Sequence, residues 1–155
     1  MIYLSKNIKE THKIAVFLLE KMSKLKWVDR CRQALVVALE GELGAGKTTF
    51  VQGFAKALQI KSKIKSPTFV IIKKYRLNPD LRFKISNLKF IYHLDCYRLR
   101  NHLDLKTLGI KEIFKNPENV VLIEWSDRIK SILPKNHIQI HIDHVSKNKR
   151  KIEIK

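Results

Sequence analysis

The sequence predicts an α/β fold: a mostly parallel central sheet flanked by helices, with antiparallel C-terminal strands. Three observations predict it. The run Ala34-Leu35-Val36-Val37-Ala38-Leu39 is continuous, apolar and β-branched in the middle, the mark of a strand buried on both faces and hence central in a parallel sheet. A glycine-bearing segment and then a helical pattern from Thr48 to Leu58 follow at once, which opens a strand–loop–helix unit. Near the C-terminus Ile138, Ile140 and Ile142 alternate with His137, Gln139, His141 and Asp143, as a strand with one half-exposed face requires. A chain of 155 residues with 45% hydrophobic content and no repeat, linker or low-complexity block is expected to form one domain, residues 1–155, rather than a disordered segment.

In chain order, Ile2 to Leu4 reads as a short strand. From about Lys9 to Lys26, Ile14, Phe17, Leu18 and Leu25 recur at helical spacing with lysines on the other face, which predicts an amphipathic helix packed on the sheet. Beyond the central strand and its helix, Ser66-Pro67-Thr68 is a turn signal that leads into an extended run from Phe69 to Tyr75. Residues 76–88 are polar and irregular, with a turn expected at Asn78-Pro79-Asp80. The whole of 61–90 is crowded with Lys and Arg around a single acid, Asp80, and reads as a loop or hairpin. Two further strand candidates, Phe90 to Asp95 and Val120 to Glu124, end in acids. Ile152 and Ile154 suggest a last strand, expected at an edge.

The charge is lopsided: 32 Lys plus Arg against 14 Asp plus Glu leave +18. Such a field attracts phosphates, RNA and acidic protein faces without fixing a fold. Lysine and isoleucine are both in great excess over glycine, which occurs 5 times. That pattern also fits coding bias toward A and T, so both sources of the charge stay open. Cys31 and Cys96 have neither metal-ligand spacing nor the density of a disulfide scaffold, and are expected to be reduced thiols. The apolar run Ile14 to Leu19 is too short for a secretory signal, and no stretch approaches the roughly 20 apolar residues of a membrane helix. A soluble, cytoplasmic chain is expected.

Gly41-Glu42-Leu43-Gly44-Ala45-Gly46-Lys47-Thr48 satisfies G-x-x-x-x-G-K-[ST] in full. Phosphate oxygens need several backbone N–H groups converging on one point, and glycine reaches the required dihedrals without a Cβ penalty. The following helix offers unpaired N–H groups and its positive dipole end to the same phosphates. Lys47 can reach the β- and γ-phosphates, and the Thr48 hydroxyl can ligate Mg²⁺. With a buried strand before it and a helix after it, the motif has its required context and points to a nucleoside triphosphate site in a P-loop NTPase fold. Such a site also needs an acid at the carboxyl end of a neighbouring strand. Asp95 and Glu124 both qualify, and spacing alone leaves their roles open. His93 and His102 are candidates for phosphate or proton-transfer work, with a structural role the more common one for a lone histidine. His137, His141 and His144 do not read as a metal site, and the N-K-x-D guanine signature is absent.

Four blocks in order carry a family resemblance: Gly41 to Phe50, Ser66-Pro67-Thr68-Phe69, His93-Leu94-Asp95-Cys96-Tyr97-Arg98 and Leu122-Ile123-Glu124-Trp125. Together, over about residues 34 to 143, they resemble the TsaE (YjeE) family, the bacterial ATPases of tRNA threonylcarbamoyladenosine biosynthesis. The resemblance implies that Gly41, Glu42, Leu43, Gly44, Ala45, Gly46, Lys47, Thr48 and Thr49 bind ATP. It implies Thr48 and Glu124 as Mg²⁺ ligands, and Asp95, with Lys47, as the group required for hydrolysis. It places Thr68 in a switch-like segment that responds to the γ-phosphate, and Trp125 beside the nucleotide. It further implies docking on the transferase TsaD and its non-catalytic companion TsaB, with ATP hydrolysis resetting that assembly between turnovers and little activity alone. Contact with tRNA would be indirect; the charge fits it and does not demand it. Glu42 stands where the family often has aspartate, the basic stretch before His93 is longer than usual, and Leu103 to Gly109 is less acidic than expected.

Two other readings fit parts of the sequence. A small-molecule kinase shares the P-loop and the size, and would need an arginine-bearing lid for which only Arg98 and Arg100 offer themselves. An RNA-binding module with a vestigial nucleotide site would use the charge and aromatics such as Tyr75 beside Arg76, but Lys47, Thr48, Asp95 and Glu124 are intact.

Overall fold

The computed structural model describes residues 1–24, 32–60, 62, 64–66, 71–78, 88–99, 105 and 107–155. The chain runs β1 (Ile2–Ser5), α1 (Ile8–Lys24), β2 (Leu35–Glu40), α2 (Lys47–Ala57), β3 (Ile72–Arg76), β4 (Phe90–Asp95), α3 (Ile110–Lys115), β5 (Asn119–Glu124), a 3₁₀ segment (Ser126–Ile132), β6 (Ile138–His144) and β7 (Arg150–Ile154). All strands join one seven-stranded sheet in the order β1-β7-β6-β2-β5-β4-β3. The inner four, β6, β2, β5 and β4, are mutually parallel. The antiparallel pairs lie at both margins, β1–β7–β6 on one side and β3–β4 on the other.

The α/β class therefore holds, and the strand predicted from Ala34 to Leu39 sits in the middle with every residue from Leu35 to Leu39 buried. Ile138, Ile140 and Ile142 are buried on β6 as their alternation requires. One expectation fails. The last strand is not at an edge: β7 lies between β6 and β1, with Ile152 and Ile154 buried, and β1 takes the margin. The cause is a pairing of the two chain ends, Ile2 with Glu153 through Ser5 with Arg150, which local periodicity does not display. The expected turn at Asn78-Pro79-Asp80, most of the 76–88 segment, His102, Cys31 and Thr68 lie wholly or partly outside the described residues.

Helices α1 and α2 cover one face, packing Ala15, Leu18, Leu19, Phe50, Phe54 and Leu58 onto Leu35, Val37 and Leu39 of β2 and Val120 and Leu122 of β5. The other face carries Phe114 and Ile110 of α3 and Ile129 of the 3₁₀ segment against Val36, Val121, Ile123 and Leu94. At the N-terminus of α1, Asn7 Oδ1 accepts from the Glu10 amide at 3.0 Å and Glu10 Oε2 from the Lys6 amide at 2.7 Å, a reciprocal cap. Phe17, expected on the apolar face, is 46% exposed and packs edge-on against Tyr3 instead.

Helices α1 and α2 approach closely at Gly53, where an added Cβ would lie 2.7 Å from His12 Cα. Because the obstacle is backbone, the helices themselves would have to separate. Gly53→Ala should cost about 1–3 kcal/mol in urea unfolding, the usual overpacking penalty. A second change, His12→Ala, should recover little of it, since it leaves the Cα in place.

Candidate functional site

The parallel strands β2, β4 and β5 end together. Leu39 pairs with Glu124, and Glu124 with Asp95, so three chain segments leave the sheet at one level. Asp95 and Glu124 project on the face that α2 covers, because they share the pleat with Ile91 on β4 and with Val120 and Leu122 on β5. The chain after β2 turns through Gly41 to Gly46 into α2. Gly41 (φ 137°), Gly44 (φ 78°) and Gly46 (φ 105°) hold left-handed or otherwise glycine-favouring backbone. A Cβ on Gly41 would lie 2.2 Å from the carbonyl oxygen of Ile142 on β6, so this position admits no side chain.

The loop is also held from β7. Arg150 Nε donates to the Ala45 carbonyl at 2.9 Å and Nη2 to the Gly44 carbonyl at 3.4 Å, while Nη1 caps the carbonyls of Ser146 and Lys149, both at 3.0 Å. The first amides of α2, from Lys47 on, have no acceptor within their own helix and form its positive end.

Lys47 is buried. Its Nζ donates to the carbonyls of Gly41 at 2.6 Å and Glu42 at 2.8 Å and sits 3.7 Å from the centre of the Trp125 ring. Burial pushes its ammonium below the ordinary lysine value, against the opposing pull of Glu124, Asp95 and Asp127. Thr48 Oγ1 donates to Glu124 Oε2 at 2.8 Å, and His93 Nε2 lies 2.8 Å from Glu124 Oε1. Asp95 is fixed at both oxygens: Oδ2 accepts from Ser66 Oγ and Oδ1 from the Tyr97 amide at 3.0 Å. Tyr97 and Trp125 stack at 4.9 Å between centroids, with the Arg128 guanidinium 5.8 Å from the first ring and 6.0 Å from the second.

Between these groups lies a cleft of about 440 Å³ lined by Gly44, Lys47, Thr48, Asp95, Glu124 and Trp125. A second cleft of about 620 Å³ shares Gly44, Gly46 and Thr49 with it and continues past Asn7, Thr11 and Arg150. The sequence-predicted residues Gly41 to Thr49, Asp95 and Glu124 thus converge, and Thr68 falls outside the described residues. Leu43 stands at the loop tip, 77% exposed. Sequence reasoning missed Arg150 altogether, which no local pattern marks, and it placed Ser66 in the Ser66-Pro67-Thr68 block without assigning it the contact with Asp95. Among the described residues no three His, Cys, Asp or Glu side chains are grouped to hold a metal. The hydroxyl of Thr48 beside the carboxylate of Glu124 is instead a pair of hard oxygens of the kind that could hold a divalent cation.

Comparison with known proteins covers nearly the whole chain. The family model described as "Threonylcarbamoyl adenosine biosynthesis protein TsaE" matches residues 5–152. The chain belongs to the TsaE family. Its TsaE relatives, each named as a tRNA threonylcarbamoyladenosine biosynthesis protein, include one from Haemophilus influenzae, 36% identical over 79% of this chain and 70% of that protein. The relative from Bacillus subtilis is 39% identical over 76% of this chain and 66% of that protein, just under two thirds of its length. The one from Treponema pallidum is 35% identical over 77% of this chain and 80% of that protein. Among solved structures, the crystal structure of Bacillus subtilis YdiB superposes with a TM-score of 0.67 at 33% identity, covering 98% of this chain and 82% of that one. The TsaE family takes part in tRNA threonylcarbamoyladenosine biosynthesis. No helix among the described residues is long and apolar enough to cross a membrane.

The buried ammonium gives a pH signature. Between the lowered value of Lys47 in the folded chain and the ordinary lysine value, the unfolded chain binds the extra proton, so stability gains from this group as pH rises. The unfolding free energy of the ligand-free protein minus that of Lys47→Met should therefore increase with pH across that alkaline window. Denaturant titrations of both proteins at several pH values read this difference directly, and a flat or falling trend would contradict the assigned direction.

Proposed function

We propose that the chain is a Mg²⁺-dependent ATPase of the threonylcarbamoyladenosine machinery, one that acts on a TsaD–TsaB complex and is slow without it. The observation that carries this reading is the meeting of Thr48, at the first turn of α2, with Glu124, at the end of β5, beside a buried Lys47. Those three groups are what a bound triphosphate needs: one ammonium for the β- and γ-phosphates and two oxygens for the metal.

In this reading Lys47 exchanges the carbonyls of Gly41 and Glu42 for phosphate oxygens, while the amides at the start of α2 bind the same phosphates. Thr48 and Glu124 would hold Mg²⁺, which when bound neutralises charge on the β- and γ-oxygens. Asp95 faces the same cleft with its carboxylate oriented by the Tyr97 amide. Once Ser66 releases Oδ2, that oxygen can accept a hydrogen bond from the attacking water and align it. The 620 Å³ cleft past Asn7 and Thr11 offers room for the base and ribose, being continuous with the loop at Gly44 and Thr49.

Exposure at the rim supports dependence on a partner. Leu43 is 77% and Tyr97 41% exposed there, so water reaches the cleft and a docked protein would find two large side chains to cover. A docked protein would exclude that water and complete the site.

The test is Mg²⁺-dependent phosphate release by the full chain, with and without TsaD and TsaB and with no other phosphate acceptor. Release should be slow alone and rise with the pair; dependence on a nucleoside or sugar would mark a kinase instead. Asp95→Ala should bind ATP within about threefold of the unsubstituted protein and lose turnover by about 100-fold or more, in the range of a general acid–base contribution. Glu124→Ala should instead weaken the Mg²⁺-dependent part of binding. Unchanged turnover in Asp95→Ala would remove the role assigned to it.

A further inference from the structure

His93 lies on β4 two residues before Asp95, on the same face of the sheet, and is 1% exposed. Its Nε2 is 2.8 Å from Oε1 of Glu124, itself 2% exposed. A carboxylate oxygen only accepts, so Nε2 carries the hydrogen and donates it. The other ring nitrogen, Nδ1, is buried with no hydrogen-bond partner among the described residues. A buried histidine kept for packing or for its own hydrogen bonds would not leave one nitrogen unsatisfied, since an apolar side chain of similar size avoids that cost. Among the described residues, the one polar contact it makes is with Glu124.

The two oxygens of Glu124 have separate partners, His93 at Oε1 and Thr48 at Oε2. A threonine hydroxyl has two lone pairs besides its hydrogen, so Thr48 can offer a lone pair to a cation while still donating to Oε2. His93 supplies the hydrogen bond at the other oxygen of this buried carboxylate, and so keeps Oε2 directed at Thr48. We propose that His93 is a positioning residue for Glu124: its Nε2–H holds Oε1 so that Oε2 is presented, with Thr48, to the Mg²⁺ of a bound nucleotide. The assignment rests on the nucleotide reading above and adds to it the group that fixes the metal-facing carboxylate.

Glutamine can place an amide N–H where Nε2 stands, whereas asparagine is shorter and reaches only toward the Nδ1 position. Binding of a non-hydrolysable ATP analogue to the full chain, followed by calorimetry in EDTA and across a Mg²⁺ series, separates the two. His93→Asn should bind the analogue in EDTA as the unsubstituted protein does and need about 10–100-fold more Mg²⁺ for the metal-dependent gain, the usual cost of losing a partner of a metal ligand. His93→Gln should recover most of that loss. An unchanged Mg²⁺ midpoint in His93→Asn, or equal impairment of Asn and Gln variants that both melt cooperatively, would overturn the positioning role. Should His93→Asn not fold, His93→Leu, which keeps the bulk and donates nothing, replaces it: a raised midpoint there beside a wild-type midpoint in His93→Gln supports the role, and an unchanged midpoint in His93→Leu overturns it. Absence of any Mg²⁺ effect in the unsubstituted protein would overturn the nucleotide reading itself, and the His93 role with it.

Discussion

The hydrogen bond between Thr48 Oγ1 and Glu124 Oε2, 2.8 Å long, joins the first turn of α2 to the last residue of β5. Much of the architecture is arranged so that these two atoms can meet. Parallel pairing of β2 with β5 sets Leu39 opposite Glu124, so the loop after β2 begins at the height of the carboxylate. Gly41 then passes under the Ile142 carbonyl, where any Cβ would collide, and opens the turn that leads through Gly46 into α2. Packing of Phe50 and Phe54 into the core fixes the axis of α2 and with it the depth at which Thr48 stands. A shift of an ångström in any of these would part the pair.

The site satisfies its own charges through internal contacts. Lys47 is buried, and a bare ammonium there would be costly. Two carbonyls and the Trp125 ring surround it instead, and desolvation still lowers its affinity for the proton. Trp125 adopts φ 58°, ψ 45°, an uncommon backbone for a bulky residue. The same residue follows Glu124 directly, so this turn carries the carboxylate and the aromatic lid of the lysine together. In the proposed function, binding a triphosphate would therefore exchange carbonyl and π-face for phosphate, and its net gain would be smaller than the contacts in the bound state alone suggest.

The central strand, the loop and its helix were readable because each depends on neighbours in sequence: a continuous apolar run, glycines at fixed offsets, then helical spacing. Asp95 and Glu124 were readable as acids at strand ends, and parallel pairing puts them side by side. What was hidden joins distant segments. Arg150 reaches Gly44 and Ala45 only because β7 lies near β6, and β7 is internal only because β1 closes against it. Ser66 meets Asp95 across the sheet end by the path of a loop, which no periodicity encodes. Phe17 looked like core by spacing, but it lies at the border of the α1 stripe, where a helix's apolar face ends in tertiary contacts and not in sequence.

The charges of the chain and of the site act in opposite senses. Over the surface a net +18 draws in any polyanion. Inside the cleft, Asp95 and Glu124 face the place where a γ-phosphate would sit, with Asp127 close enough to act on Lys47. In the proposed reading a bare phosphate chain would meet the Lys47 ammonium and the first amides of α2, but also the carboxylates of Asp95 and Glu124, which oppose it. A divalent cation held by Thr48 and Glu124 would turn one of those carboxylates from a repulsive group into a ligand. Long-range attraction by the surface and the charge balance inside the cleft thus reside in different residues.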